Sequence, residues 1–252
     1  MLAKGSPVPG KKSRLAARVA TAVVATAGAC ALLAACSTVK LGSAAIVGDQ
    51  RITTASLDTQ VANVQQALAQ YGLTKQVSAA DLPKDVLTWL VRFAVTDRAA
   101  QDAGITISPG QSQQALAKFN STEQQSIESQ GGKYPGLKGL LAANGVPTDQ
   151  EHLTAFGKWL AQETALEDKV TGGKQPTTQA EATKAVSQLN VAACKAVRAL
   201  NVQVNPQYGQ LDYQVNPTSG QGLYLVAAGT DTLSRPAGKA SSAPPTPARQ
   251  PC

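Results

Sequence analysis

A single histidine in 252 residues is the most restrictive scarcity in this chain. It excludes mechanisms that need two imidazoles. His152 has no base-and-nucleophile set nearby, so it reads as a solvent-facing side chain in the first turn of a helix. Four cysteines are too few for a disulfide scaffold. Two Trp, five Tyr and three Phe leave the core to Leu, Val, Ile and Ala, which suits helix packing on helix. No G-x-S-x-G, H-E-x-x-H or P-loop pattern occurs, and Gly131-Gly132-Lys133 lacks both a leading strand and a following Ser or Thr. These scarcities point away from an enzyme and from any metal or cofactor.

Long apolar runs are scarce as well. The one run of note, Val19 to Leu32, follows Lys4, Lys11, Lys12, Arg14 and Arg18 and is too short to span a bilayer. A basic head, a short apolar stretch and a small-residue close read as an export signal over residues 1–35. Leu33-Ala34-Ala35-Cys36 resembles the lipobox of bacterial lipoproteins, in which the cysteine thiol is acylated and the preceding peptide bond is cut. The alternatives are an ordinary signal cut nearby, or Cys30 in place of Cys36, although Cys30 has Ala three residues before it. All 16 acidic residues but only 18 of the 23 basic ones follow Cys36, so processing lowers the net charge from +7 to about +2. The basic character belongs to the signal, and no basic stripe with interleaved aromatics points to nucleic acid.

Beyond Cys36, residues 36–43 form a short tether. Ser37 to Ser43 spans at most roughly 25 Å, which keeps the body close to a membrane. Residues 44–233 form one domain. Ala44 to Ile52 reads as two extended pieces around a Gly48-Asp49 turn, and Thr53-Thr54 caps a helix striped by Leu57, Val61, Val64 and Leu68. Asp81 and Pro83 open a second helix, which Gly104 stops, and its wide face of Val86, Leu87, Leu90, Val91, Ala94 and Val95 implies neighbours on several sides. Ser108 to Gln111 is a capping box for a third helix running to Phe119, with a separate polar helical piece from Ser121. Leu137 to Ala143 makes two turns. Thr148-Asp149-Gln150-Glu151 and Thr178-Gln179-Ala180-Glu181 are two further capping boxes. After Leu200 the period becomes two: Asn201 to Asn205, Leu211 with Tyr213, and Leu223 to Ala227 are short strand candidates around a Pro206–Gly209 turn. Residues 234–252 form a Pro-, Ser- and Ala-rich tail, expected to be disordered.

The order of these elements resembles the N-terminal domain of SurA-type periplasmic chaperones. Ala45-Ile46-Val47-Gly48-Asp49-Gln50-Arg51-Ile52 leads to a helix marked Leu57-Asp58. Ala100-Gln101-Asp102-Ala103-Gly104-Ile105-Thr106-Ile107-Ser108 then punctuates the next two helices. The likeness covers roughly residues 44–119. Val202 to Tyr213 is similar to the segment that returns to the first strand in that family. The resemblance implies a mainly α, SurA-N-like helical domain completed by a small β-sheet from N- and C-terminal strands, acting as a chaperone. Relatives that insert a parvulin isomerase domain carry paired histidines. Here one histidine, and too short and helical a span over residues 120–177, imply the chaperone module without isomerase activity.

Cys36 is the candidate lipidation site, which places the protein at the cell membrane on its extracytoplasmic face, with the membrane itself a partner through the lipid. Cys194 and Cys252 can pair in an oxidising compartment, closing a loop worth about 4 kcal/mol at most. Alternatively, Cys194 is a buried small hydrophobe and Cys252 a free terminal thiol. Trp89, Phe156 and Trp159 fall among aliphatics at helical spacing. Core packing is one reading of them, and a client-contact surface for unfolded or exported polypeptides is the other. An adaptor lipoprotein docking one specific envelope partner is the competing function.

Overall fold

Gly48-Asp49 makes the first turn of the fold, and the chain around it forms a hairpin. The computed structural model describes residues 41–212 and 224–226. The expected signal, Cys36, most of the tether, Tyr213, Cys252 and the tail of residues 234–252 lie outside the described residues.

Strand β1 (Ser43–Val47) pairs antiparallel with β2 (Gln50–Thr53), with Val47 opposite Gln50. Gly48 has φ +61, and its N–H donates to the Leu200 carbonyl at 2.6 Å. A Cβ there would sit 3.0 Å from Leu200 Cδ2, so both the backbone angle and the close approach ask for glycine.

Thr53 then caps α1 (Thr54–Gln70), accepting from the Ser56 N–H. Its stripe is the expected one: Leu57, Val64 and Leu68 are buried and Val61 is half-buried. Helix α2 (Leu82–Asp102) starts at Asp81, but the Asp81 side chain does not cap it. Asp81 adopts a helical backbone and pairs with Lys84 at 3.6 Å instead, which corrects the expected cap. Ile105 to Ile107 is irregular chain.

Helix α3 (Pro109–Ser129) opens on the full Ser108–Gln111 capping box. It runs unbroken past Phe119, where the sequence suggested two pieces. No Gly or Pro interrupts it, and its outer half is held by hydrogen bonds such as Gln124 to Glu128 at 3.0 Å. Only its apolar period ends near Phe119, because the second half is largely exposed.

Helix α4 (Leu137–Ala143) leads to α5 (Gln150–Thr171). The expected Thr148 cap is displaced by one residue: Asp149 is the N-cap and accepts from the His152 N–H. Thr148 is buried, and its N–H and hydroxyl both donate to Asn63 Oδ1 at 3.0 Å, tying the loop to α1. Gly172 ends α5 in the left-handed conformation. Helix α6 (Gln179–Leu200) carries the Thr178–Glu181 capping box as expected.

Strand β3 (Gln203–Val204) returns to β1, pairing Val204 with Ala45 and giving the sheet order β2-β1-β3. Asn205 extends this contact: its N–H donates to the Ala44 carbonyl at 2.9 Å and its amide to the Ser43 carbonyl at 3.0 Å. After a 3-10 turn (Pro206–Tyr208), β4 (Gln210–Asp212) pairs with β5 (Tyr224–Val226) as a separate ribbon. The fold is thus mainly helical, with a small antiparallel sheet joining the two ends of the described chain.

Helix α2 is the shared spine. One side, through Val86, Leu87, Val91 and Val95, joins Ala45 and Val47 of β1, Leu57 and Val64 of α1, and Ala196 and Val197 of α6 in an aliphatic core. Its other side presents Trp89 and Phe93 to a second cluster shared with α3, α4 and α5. The α3–α5 crossing is very close at Gly157, where a Cβ would lie 2.6 Å from the Ser112 carbonyl oxygen.

Candidate functional site

The structure brings Trp89, Phe156 and Trp159 together. Trp89 comes from the middle of α2, and the other two lie three residues apart on α5, so one helical face presents both. Trp89 and Trp159 meet edge-on at 5.1 Å between ring centroids. Phe156 lies 5.6 Å from Trp89 and 5.3 Å from Trp159. Phe119 of α3 packs on Phe156 at 5.3 Å, and Phe93 on Trp89 at 5.8 Å. Phe93 and Phe119 were not singled out from the sequence. Phe93 lies four residues from Trp89, a spacing that could have flagged it.

Phe156 is 2% exposed and forms the centre of this cluster with Leu141, Val146 and Leu153. Its ring is covered by the cluster, as in the core-packing reading of the sequence. Trp89 and Trp159 are half-buried and keep a solvent-facing edge. The Trp89 indole N–H donates to the Asn144 carbonyl at 2.8 Å, fixing the ring against the end of α4. Arg92 lays its guanidinium 4.4 Å from the Trp89 ring centroid and 6.0 Å from that of Trp159, within cation–π range.

Beside the rings lies Glu163. Burial pushes its carboxyl above the ordinary range, helped by the Glu167 charge. The Thr96 hydroxyl, donating at 3.1 Å, and the Arg92 charge oppose the shift without cancelling it. The buried Trp159 N–H stands close enough to favour the carboxylate, but it forms no well-aligned hydrogen bond.

One turn away, Asp97 behaves in the opposite way. Partial burial raises it, yet Lys158 at 2.5 Å, Gln162 at 2.7 Å and Gln101 at 2.9 Å together hold it below the usual carboxylate value. Lys158 and Gln162 stand on α5, so this network fastens α5 to α2. Lys169 adds a second fastening by donating to the Ala103 carbonyl at the end of α2.

His152 is not solvent-facing as its sequence context suggested: its side chain is 14% exposed and its Nδ1 lies 2.7 Å from Asp149 Oδ2. Burial raises the Asp149 carboxyl, but hydrogen bonds from the His152 backbone and ring outweigh it and leave the group below its ordinary value. The pair closes the N-terminus of α5, a structural duty. Among the described residues no group of three or more His, Cys, Asp or Glu could hold a metal ion, and no helix is long and apolar enough to cross a membrane.

An open groove of about 390 Å³ lies between the end of α5 and the middle of α6, lined by Lys169, Val170, Ser187, Gln188 and Val191. Val191 is 67% exposed, unusual for a large apolar side chain in this body. Cys194, three residues further along α6, is disulfide-bonded.

Comparison with known proteins gives a family match. No curated protein matches the chain, and no solved structure does. Residues 11–130 match the family described as the SurA-like N-terminal domain, a span that takes in β1, β2, α1, α2 and α3 and stops before α4. A SurA-like N-terminal domain is associated with binding polypeptide clients and is not itself catalytic. Residues 11–130 are therefore similar to a SurA-like N-terminal domain, and α4, α5 and α6 follow the matched span.

Proposed function

We propose that this protein is a lipid-anchored extracytoplasmic lipoprotein that holds unfolded or exported polypeptides non-covalently, without isomerase activity. The observation that carries this reading is the SurA-like N-terminal domain at residues 11–130. The half-exposed edges of Trp89 and Trp159 beside the Arg92 guanidinium support it. They offer apolar and cation–π contact to passing peptide side chains, without a requirement for sequence. Release is passive: a client that folds withdraws its own apolar groups. Acylation of Cys36 supplies the anchor, each buried methylene contributing about 0.8 kcal/mol.

The deciding experiment is an aggregation-suppression assay with the form starting at Ser37 on several unrelated unfolded clients. Suppression across clients is expected. A single stoichiometric partner in a pull-down, with no suppression, would replace the chaperone by an adaptor. Membrane fractionation of Cys36→Ala tests the anchor independently, with release into the soluble fraction expected.

A further inference from the structure

Arg92 brings to the aromatic face something that a purely apolar holding surface does not need. It follows Trp89 by three residues on α2, and its guanidinium lies 4.4 Å from the Trp89 ring centroid and 6.0 Å from that of Trp159 on α5. The group is planar and always charged, and its N–H donors form a fork that meets both oxygens of a carboxylate at once. It has five such donors, so a partner within the protein does not exhaust them. Arg92 is half-buried, where solvent screens a charge contact less than it does on an open surface.

Two acids flank the cation along the helices. Asp85 stands one turn before Trp89, close to Gly145 at the end of α4. Glu163 stands one turn beyond Trp159 and accepts from the Thr96 hydroxyl at 3.1 Å. Burial raises both carboxyls above their ordinary values, against the Lys84 charge at the first and the Thr96 hydroxyl and Arg92 charge at the second. The Asp81 and Glu167 charges add to the rise. A solvated client carboxylate keeps its ordinary value, so it competes for the guanidinium on better terms than these internal groups do. Apolar side chains next to it would meet the half-buried rings of Trp89 and Trp159.

On the holdase reading, on which this inference rests, we propose that the Trp89–Arg92–Trp159 face favours client segments in which a carboxylate, from Asp, Glu or a free chain end, stands beside apolar side chains. Arg92 is the residue that sets this preference. The rings hold apolar segments of many kinds, and Arg92 selects among them by charge rather than by sequence.

The chain has two tryptophans, and both belong to this face, so intrinsic fluorescence reads it directly. The full chain in detergent is titrated with Trp-free apolar peptides of one length. Three are amidated at the C-terminus and carry a central Glu, Gln or Lys; a fourth carries Gln and a free terminal carboxylate. The Glu peptide is expected to bind about tenfold more tightly than its Gln counterpart, the scale of one charge-assisted hydrogen bond. The Lys peptide should bind most weakly. A gain with the fourth peptide alone assigns the preference to chain ends, and a gain with Glu alone assigns it to side chains; both support the proposal.

Arg92→Gln is expected to erase the difference between the Glu and Gln peptides while the Gln peptide still binds. Salt gives a second readout that needs no substitution: raising it should weaken the Glu peptide and spare the Gln one. Four equal affinities, a preference for Lys, or a carboxylate preference that survives either Arg92→Gln or high salt overturns this inference and leaves the holdase standing. No binding of any peptide, together with no suppression of aggregation, overturns both.

Discussion

The two sides of α2 are built to different standards. Toward β1, α1 and α6 the helix faces an aliphatic core in which Leu57, Val64, Val86, Leu87 and Val91 have no exposed surface. Toward α3, α4 and α5 it faces rings around one buried phenylalanine, with two tryptophans half open and a carboxyl held above its ordinary range. An aliphatic interior specifies the fold and shows nothing to a visitor. The aromatic side gives up some closure: it leaves apolar edges and a cation beside them half-buried, and a buried indole N–H of Trp159 without a hydrogen-bond partner. The SurA-like match ends before α4, so the aromatic side is completed by helices beyond the matched span.

The sharpest way to break this contrast is a pair of truncations. Phe156→Ala should cost about 3–5 kcal/mol and Leu87→Ala about 2–5 kcal/mol in urea unfolding. Hydrogen exchange distinguishes them: the first should deprotect α3 and α5 before the rest, the second all elements of the aliphatic core together. Equal patterns would mean that the two clusters are one cooperative unit.

A smaller effect is expected at the α3–α5 crossing. Gly157→Ala places a methyl against the Ser112 carbonyl and should cost about 1–3 kcal/mol in thermal or urea unfolding. Removing the cap of α5 with Asp149→Ala should cost about 0.5–2 kcal/mol, read in the same way.

The finest test is pH. Glu163 has a raised folded pKa, so between its ordinary value and the raised one the native state binds more protons than the unfolded state, and stability falls as pH rises. Glu163→Gln should therefore melt higher than the native sequence above that window and lose the difference below it. Asp97 has a lowered pKa, so its contribution is present above the ordinary carboxylate value and is lost as pH falls through the folded one. Asp97→Asn should be the less stable form at neutral pH and converge with the native sequence in acid.

Much of the local structure was legible in the sequence. The stripe of α1, the wide face of α2 and the boxes at Ser108 and Thr178 follow from local periods and caps, whereas the return of Val204 to Ala45 was implied by the family resemblance. Part of what escaped was set by contacts distant in sequence, part by local alternatives the pattern does not rank. Thr148 looked like a cap but serves Asn63, 85 residues away. Asp81 stands where a cap belongs yet turns to Lys84. The outer half of α3 lost its apolar period because it faces water, so one helix read as two. At the candidate site the helical spacing of Phe156 and Trp159 was visible, but which of them would be covered depended on Phe119 and Leu141 arriving from α3 and α4.

Arg51 on β2 donates from Nε to the Ser43 hydroxyl at 2.5 Å and from Nη2 to the Leu41 carbonyl. It therefore grips the chain where it enters β1, the strand bonded on both edges. Tension arriving from the amino-terminal side meets this clasp first, and then a strand whose two ladders must slide together rather than unzip one by one.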